Sequence, residues 1–192
     1  MNRLLNLGIC AIGLLCMAGV SSAALFTYEA SLSGPNEDPP VASPGTGFAE
    51  VIYDDVAHTL NVEVSFEDLL YEVTVAHIHA PTPVPLAQTA GVATTTPTFP
   101  GFPAGVTSGQ YENLFDLTQA GSWNPAFVTA NGGTPATAEA ALAAFLAEGR
   151  AYLNIHTTVY AGGEIRGFLV PEPASMTVLG LGAVALLRRR RR

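Results

Sequence analysis

From Leu60 to Phe66 the chain alternates: Leu60, Val62, Val64 and Phe66 are apolar, while Asn61, Glu63 and Ser65 are polar. A period of two belongs to a strand with one face in a core and the other in water. Looser alternation marks strands at Leu25 to Leu32 and Phe48 to Tyr53. The short polar link Asp54 to His58 joins the latter to the Leu60 strand as a hairpin. Further strands are predicted at Val73 to His79 and Tyr111 to Leu117. Ala151 to Thr157 and Glu164 to Val170 read as a closing hairpin that turns at Ala161-Gly162-Gly163. Pro, Thr and Gly crowd the stretch from Pro81 to Pro103, which predicts a loop with no long element. One helix is predicted near 135–148: Thr134 caps it, Pro135 suits its first turn, and Gly149 follows its Ala/Leu/Phe body. Short strands with a single helix argue for an all-β antiparallel sandwich or open barrel.

The two ends break this pattern. Arg3, the apolar run Leu4 to Val20 and the small residues Ser21-Ser22-Ala23 read as a secretory signal peptide over 1–23, a substrate for signal peptidase. At the other end Pro171-Glu172-Pro173 precedes the apolar run Ala174 to Leu187, and Arg188, Arg189, Arg190, Arg191 and Arg192 close the chain. As a helix that run rises about 20 Å against a hydrocarbon core of about 30 Å, so it spans a membrane only with local thinning. The arginine cluster stays cytoplasmic, which leaves residues 24–170 outside. This order of elements over 171–192 resembles the PEP-CTERM sorting signal of Gram-negative bacteria. The resemblance implies an exosortase as partner, a transient inner-membrane anchor over 174–187, and release toward the cell surface or extracellular polymer matrix.

Charge and composition then narrow the middle, read as one domain over 25–170. Of eight basic residues only Arg150 and Arg166 lie there, against sixteen acidic residues between Glu29 and Glu172. A nucleic-acid partner is excluded on that balance, since binding needs cations to displace counterions from phosphate. The chain has no Lys, which excludes Schiff-base chemistry and Lys–Asn isopeptide bonds. Cys10 and Cys16 both fall in the leader, so the exported domain has no disulfide and no thiolate ligand.

Several segments of the middle resemble the CHRD domain, first named in chordin. They are Ser31-Leu32-Ser33-Gly34 with Glu37 and Pro39-Pro40, His77-Ile78-His79, and Phe115-Asp116-Leu117-Thr118. Ala151-Tyr152-Leu153-Asn154-Ile155-His156-Thr157 and Gly162-Gly163-Glu164-Ile165-Arg166-Gly167 follow in the same order. The family often has Gly-Pro after its His-x-His; here Ala80-Pro81 opens an enlarged Pro-rich loop. The resemblance implies an immunoglobulin-like β-sandwich near the Cu,Zn superoxide dismutase type of Greek key. It implies no activity for bacterial members.

Candidate chemistry centres on histidine. His77 and His79, two apart on a strand, leave the same face, with Ile78 on the other; Asn154 and His156 likewise share a face. If the two strands are neighbours, three imidazoles converge, a donor set suited to Cu or Zn. The dismutase-like sandwich uses such a pair for copper, but it has further histidines and a disulfide that are missing here. The bland expectation is that His77, His79 and His156 hydrogen-bond to backbone or carboxylates and fix a loop without metal. His58 lies apart, next to Asp54 and Asp55. Asn154 reads as a loop anchor. Arg166 reads as an ion pair to an acidic neighbour, with Glu164 two residues earlier on the same strand, or as an anion clamp. The acidic pairs Glu37-Asp38, Asp54-Asp55 and Glu67-Asp68 read as solvated loops rather than Ca²⁺ sites, since none has spaced ligands. Trp123 reads as a packed loop aromatic rather than a sugar platform. The leading expectation is a non-enzymatic module that binds extracellular polysaccharide, a surface protein or itself. The alternative is a Cu- or Zn-binding protein or oxidoreductase using His77, His79 and His156.

Overall fold

The computed structural model describes residues 25–172. The expected signal peptide and the tail from Pro173, including its anchor run and Arg188 to Arg192, lie outside these residues. The strands are β1 (Leu25–Ser33), β2 (Thr46–Asp54), β3 (Thr59–Glu67), β4 (Val73–His79), β5 (Gly109–Asp116), β6 (Tyr152–Thr157), β7 (Ile165–Phe168) and β8 (Val170–Pro171). Two helices, α1 (Pro125–Ala130) and α2 (Pro135–Ala147), sit between β5 and β6.

The strands form one antiparallel sheet in the order β4-β6-β7-β1-β2-β3-β5, with β8 also on β1. β3 and β4 are far apart in that order, yet only residues 68–72 join them. The sheet must therefore curl until its two ends approach, and the result is a half-barrel. Irregular backbone closes the gap: Leu69 N donates to Thr107 O (3.1 Å), Val73 N to Val106 O (2.9 Å) and Gly105 N to Val73 O (2.9 Å). The expected all-β architecture is present. The two layers expected of a sandwich are parts of one curled sheet.

The alternation read in β3 is the burial observed: Leu60, Val62, Val64 and Phe66 are each at most 4 % exposed. They meet Tyr28, Ala30 and Leu32 of β1, Ile78 of β4, and Leu153 and Ile155 of β6 in a single core. The Pro-rich loop contributes more than expected. Phe99 and Phe102 turn inward and pack on Phe66, Tyr111 and Phe115. The same loop covers the free edge of β4. Ala93 N donates to Ile78 O (2.9 Å) and Phe99 N to Ala76 O (3.1 Å), while Thr94 and Thr98 hydroxyls accept from Ile78 N and Ala76 N. An exposed edge strand is thereby satisfied by irregular backbone.

α2 forms where predicted. The Thr134 hydroxyl accepts from Thr137 N, and Gly149 takes the left-handed conformation past its end (φ 66°). The single-helix expectation missed α1, which the side chain of Asn124 caps and Pro125 opens. That signal was present in sequence, on a helix too short to show a period. Trp123 is packed as expected, its Nε1 donating to Leu117 O (2.8 Å) and its ring stacked on Phe127.

The outer face of β1, β2, β3 and β5 carries an unexpected row. Glu29 lies opposite Glu50, Glu50 opposite Glu63, and Glu63 opposite Glu112. Like charges directly opposite one another are destabilising. Partial burial, then Glu63, Glu29 and Glu172, push the Glu50 carboxyl up from its ordinary value. The folded state thus binds its proton more tightly than the unfolded chain, and stability falls as pH rises above about 4.5. Glu50→Gln is expected to stabilise the protein by up to about 1 kcal/mol at pH 7. Denaturant melts should show the gain at pH 7 and none at pH 4; equal gains at both would mean that charge is not the cause.

Candidate metal centre

β4 and β6 are neighbours. His77 pairs in register with Asn154, His79 with Tyr152, and Val75 with His156. Ile78, Leu153 and Ile155 point the other way and are fully buried in the core. The period of two therefore sends all three histidines to one face, where each is 5–7 % exposed. One ring nitrogen from each lies within 4.8 Å of the other two. His79 Nε2 and His156 Nε2 are 3.3 Å apart. Two nitrogens bound tetrahedrally to one ion at about 2.0–2.1 Å would stand about 3.4 Å apart. The ring of His77 lies 5.6 Å from that of His79 and 5.3 Å from that of His156, centroid to centroid.

The other nitrogen of each ring faces a backbone carbonyl. His79 Nδ1 meets Ala90 O (2.9 Å), His156 Nδ1 meets Ala161 O (2.9 Å), and His77 Nε2 meets Pro97 O. A carbonyl only accepts, so each of these nitrogens carries the hydrogen. The bare lone pairs are then His79 Nε2, His156 Nε2 and His77 Nδ1, and His77 Nδ1 is buried with no partner among the described residues. Burial pushes His79 and His156 down to about 4 and lowers His77 as well, against the carbonyl contacts that raise them. Burial thus favours the neutral form of all three rings.

A second polar group adjoins the histidines. Arg166, 3 % exposed, lies opposite Asn154 on β7. Its guanidinium donates to Asn36 O and to Gln88 O (3.2 Å), and lies 3.8 Å from Glu37 Oε2. It also sits over the rings of Tyr152 (4.8 Å) and Phe168 (5.7 Å). Tyr152 in turn stacks flat on His79 at 4.9 Å. The acidic neighbour of Arg166 is thus Glu37, not Glu164. Glu37 was expected in a solvated loop, but the short helical turn Gly34–Asn36 folds it under β7, and burial raises its carboxyl to about 7 despite the opposing pull of Arg166. Sequence reading missed it because burial of a loop residue leaves no periodic trace.

Glu164 is fully buried and works alone. It accepts from Ser43 Oγ (2.7 Å), Leu70 N (2.6 Å), Tyr71 N (3.3 Å) and Thr157 Oγ1 (2.9 Å). It ties the β3–β4 turn to β6 and to the chain before β2. Asn154 anchors the β6–β7 turn, its Nδ2 donating to Gly162 O (3.1 Å). His58 is not part of the site; its Nδ1 meets Glu139 of α2 (2.9 Å), which also accepts from Tyr53 Oη (2.9 Å). Asp54 accepts from Val56 N and Ala57 N and shapes the β2–β3 turn.

The residues from Gly163 to Gly167 each have a physical role. Gly163 has φ 126°, and a Cβ there would lie 2.3–2.5 Å from the Asn154 amide and Glu37 Oε1. A Cβ on Gly167 would meet Ser31 O at 2.4 Å, where β7 passes β1. Ile165 is core. The family model of the CHRD domain matches residues 28–169. The chain belongs to the CHRD domain family. A second model, the PEP-CTERM protein-sorting motif, matches residues 169–192. This CHRD protein therefore carries an exosortase recognition signal and is exported to the cell envelope or surface. No curated protein and no solved structure matches it. Among the described residues, no helix is long and apolar enough to cross a membrane. The expected anchor run lies outside them.

Proposed function

We propose that this protein is a non-enzymatic module of the cell surface or extracellular matrix that holds one copper or zinc ion on His77, His79 and His156. The observation that carries the reading is the direction of the lone pairs. A structural histidine pair puts one N–H between its nitrogens. Here both Nδ1 hydrogens go to carbonyls, so His79 Nε2 and His156 Nε2, at 3.3 Å, repel unless a cation lies between them. Neutral imidazole suits Cu and Zn, and carbonyl-oriented rings are the usual outer support of such ligands. From sequence alone the histidines are expected to fix a loop without metal; the facing bare nitrogens of His79 and His156, with a buried unpartnered His77 Nδ1 in the same cluster, favour the ion. Three protein donors leave a coordination position open, through which a bound ion would supply Lewis acidity (Zn) or one-electron chemistry (Cu). The depth of the rings beneath the 81–97 loop favours binding over turnover of a large substrate. The partner we propose is extracellular polysaccharide or a surface protein, met by loops on the sheet.

The test is metal content. Exported protein stripped with chelator and dialysed against zinc or copper at pH 7 is expected to retain about one ion per chain. Retention of neither metal would sink the reading.

Processing is a separate expectation. Signal peptidase removes residues 1–23, and an exosortase cuts near Pro171–Pro173. The intact mass of the surface protein should lack both ends. Recovery of a chain ending at Arg192 from the extracellular fraction would count against this.

A further inference from the structure

Arg166, Glu37 and Asn154 touch none of the three bare lone pairs, and the metal reading does not use them. All are at least nine-tenths buried, and two of their oxygens, Glu37 Oε1 and Asn154 Oδ1, have no partner among the described residues. Apart from Asn36 O, to which Arg166 Nε donates, their backbone contacts run to two segments beside the histidines. Arg166 donates to Gln88 O, two residues before Ala90, whose carbonyl takes the His79 Nδ1 hydrogen. Gln88 has φ 68°, a left-handed conformation uncommon for residues other than glycine. Arg166 also lies over Tyr152, whose hydroxyl accepts from Ala90 N (3.2 Å) and whose ring stacks on His79. Asn154 holds Gly162 O, next to Ala161, whose carbonyl takes the His156 Nδ1 hydrogen. Glu37 joins the halves: it faces Arg166 on one side, and Gly163, pressed against Asn154, on the other.

We infer that Arg166, Glu37 and Asn154 are positioning residues that set the tautomers of His79 and His156 by holding the two carbonyls those rings donate to. Arg166 governs His79 through the 88–90 segment. Asn154 governs His156 through the 161–163 turn. Glu37 keeps the two in register. The consequence for metal rests on the proposed function; the tautomers themselves do not.

The test uses ¹⁵N-labelled exported protein, stripped of metal, and two-bond ¹H–¹⁵N spectra that distinguish Nδ1–H from Nε2–H. In the unsubstituted protein His79 and His156 are expected as Nδ1–H and His77 as Nε2–H. Arg166→Gln should give a mixture at His79 and leave His156 unchanged. Asn154→Ala should do the reverse. Should Arg166→Gln fail to fold, Arg166→Lys serves, because it keeps the charge facing Glu37 but cannot fork to both Asn36 and Gln88. Zinc affinity should fall about 10–100-fold in each variant. Unchanged tautomers in folded variants, or the same response of both rings to either substitution, would overturn the inference. If the protein binds neither zinc nor copper but the tautomers respond as stated, the positioning role stands and the metal reading falls. If metal binds and the tautomers do not respond, the reverse holds.

Discussion

Alanine at His156 is expected to weaken zinc or copper binding by at least about 100-fold. Loss of an outer support to a metal ligand typically costs about 10–100-fold, so loss of a ligand itself costs no less. His156 is the ring whose Nε2 lies 3.3 Å from His79 Nε2, so its removal leaves His77 and His79, which come from the same strand. The effect has a second readout. A ligand at a hundred times its dissociation constant stabilises the folded state by about 2.7 kcal/mol. For a domain of this size each kcal/mol moves the melting temperature by about 2–4 °C, so saturating metal should raise it by about 5–10 °C. That rise should vanish in His156→Ala and in His77→Ala. Calorimetric titration and thermal melts with and without metal measure both quantities. A metal-dependent rise that survives in both variants would place the ion elsewhere.

Glu164→Ala should cost more stability than any histidine substitution does without metal. Its carboxylate accepts from two backbone N–H groups and two hydroxyls, drawn from three parts of the chain. A hydrogen bond to a charged group contributes about 1.5–3 kcal/mol net, and a buried donor left unpaired costs a further desolvation term. Four bonds to one group are not additive, so about 3–5 kcal/mol is expected in total. Against a folding stability of 5–15 kcal/mol this is a large fraction. The melting temperature should fall by about 6–20 °C. Glu164→Gln keeps the volume and part of the acceptor capacity and should lose less. A melt of Glu164→Ala within 2 °C of the parent would show that water replaces the carboxylate at little cost.

Glu164 and His156 lie eight residues apart yet differ in what they support. Glu164 holds the β3–β4 turn and is expected to matter for folding alone. His156, two strand positions beyond Asn154, is expected to matter for metal with a smaller effect on the metal-free fold. The glutamate row on the outer face works against stability and lies on the opposite side of the sheet from the core.

The sequence by itself determined what depends on neighbours along the chain. Alternation over Leu60 to Phe66 set the buried face of β3, because side chains on a strand alternate whatever the strand packs against. The same rule put His77 with His79, and Asn154 with His156, on common faces. Thr134, Pro135 and Gly149 marked the ends of α2, because caps act within one turn. The C-terminal sorting signal was legible because cellular machinery reads it as linear sequence. Tertiary structure alone decided the rest. That β4 pairs with β6 rests on hydrogen bonds between segments more than seventy residues apart, favoured by the curl of the whole sheet. Which carbonyl meets each imidazole depends on the paths of the 81–97 loop and the 161–163 turn, and neither has a period to read. Arg166 took Glu37 rather than Glu164 as its partner because the turn at Gly34–Asn36 brings Glu37 beneath β7, while Glu164 is occupied by four donors. Local pattern fixes the direction of a side chain on its strand, and only the closed fold brings its partners to it.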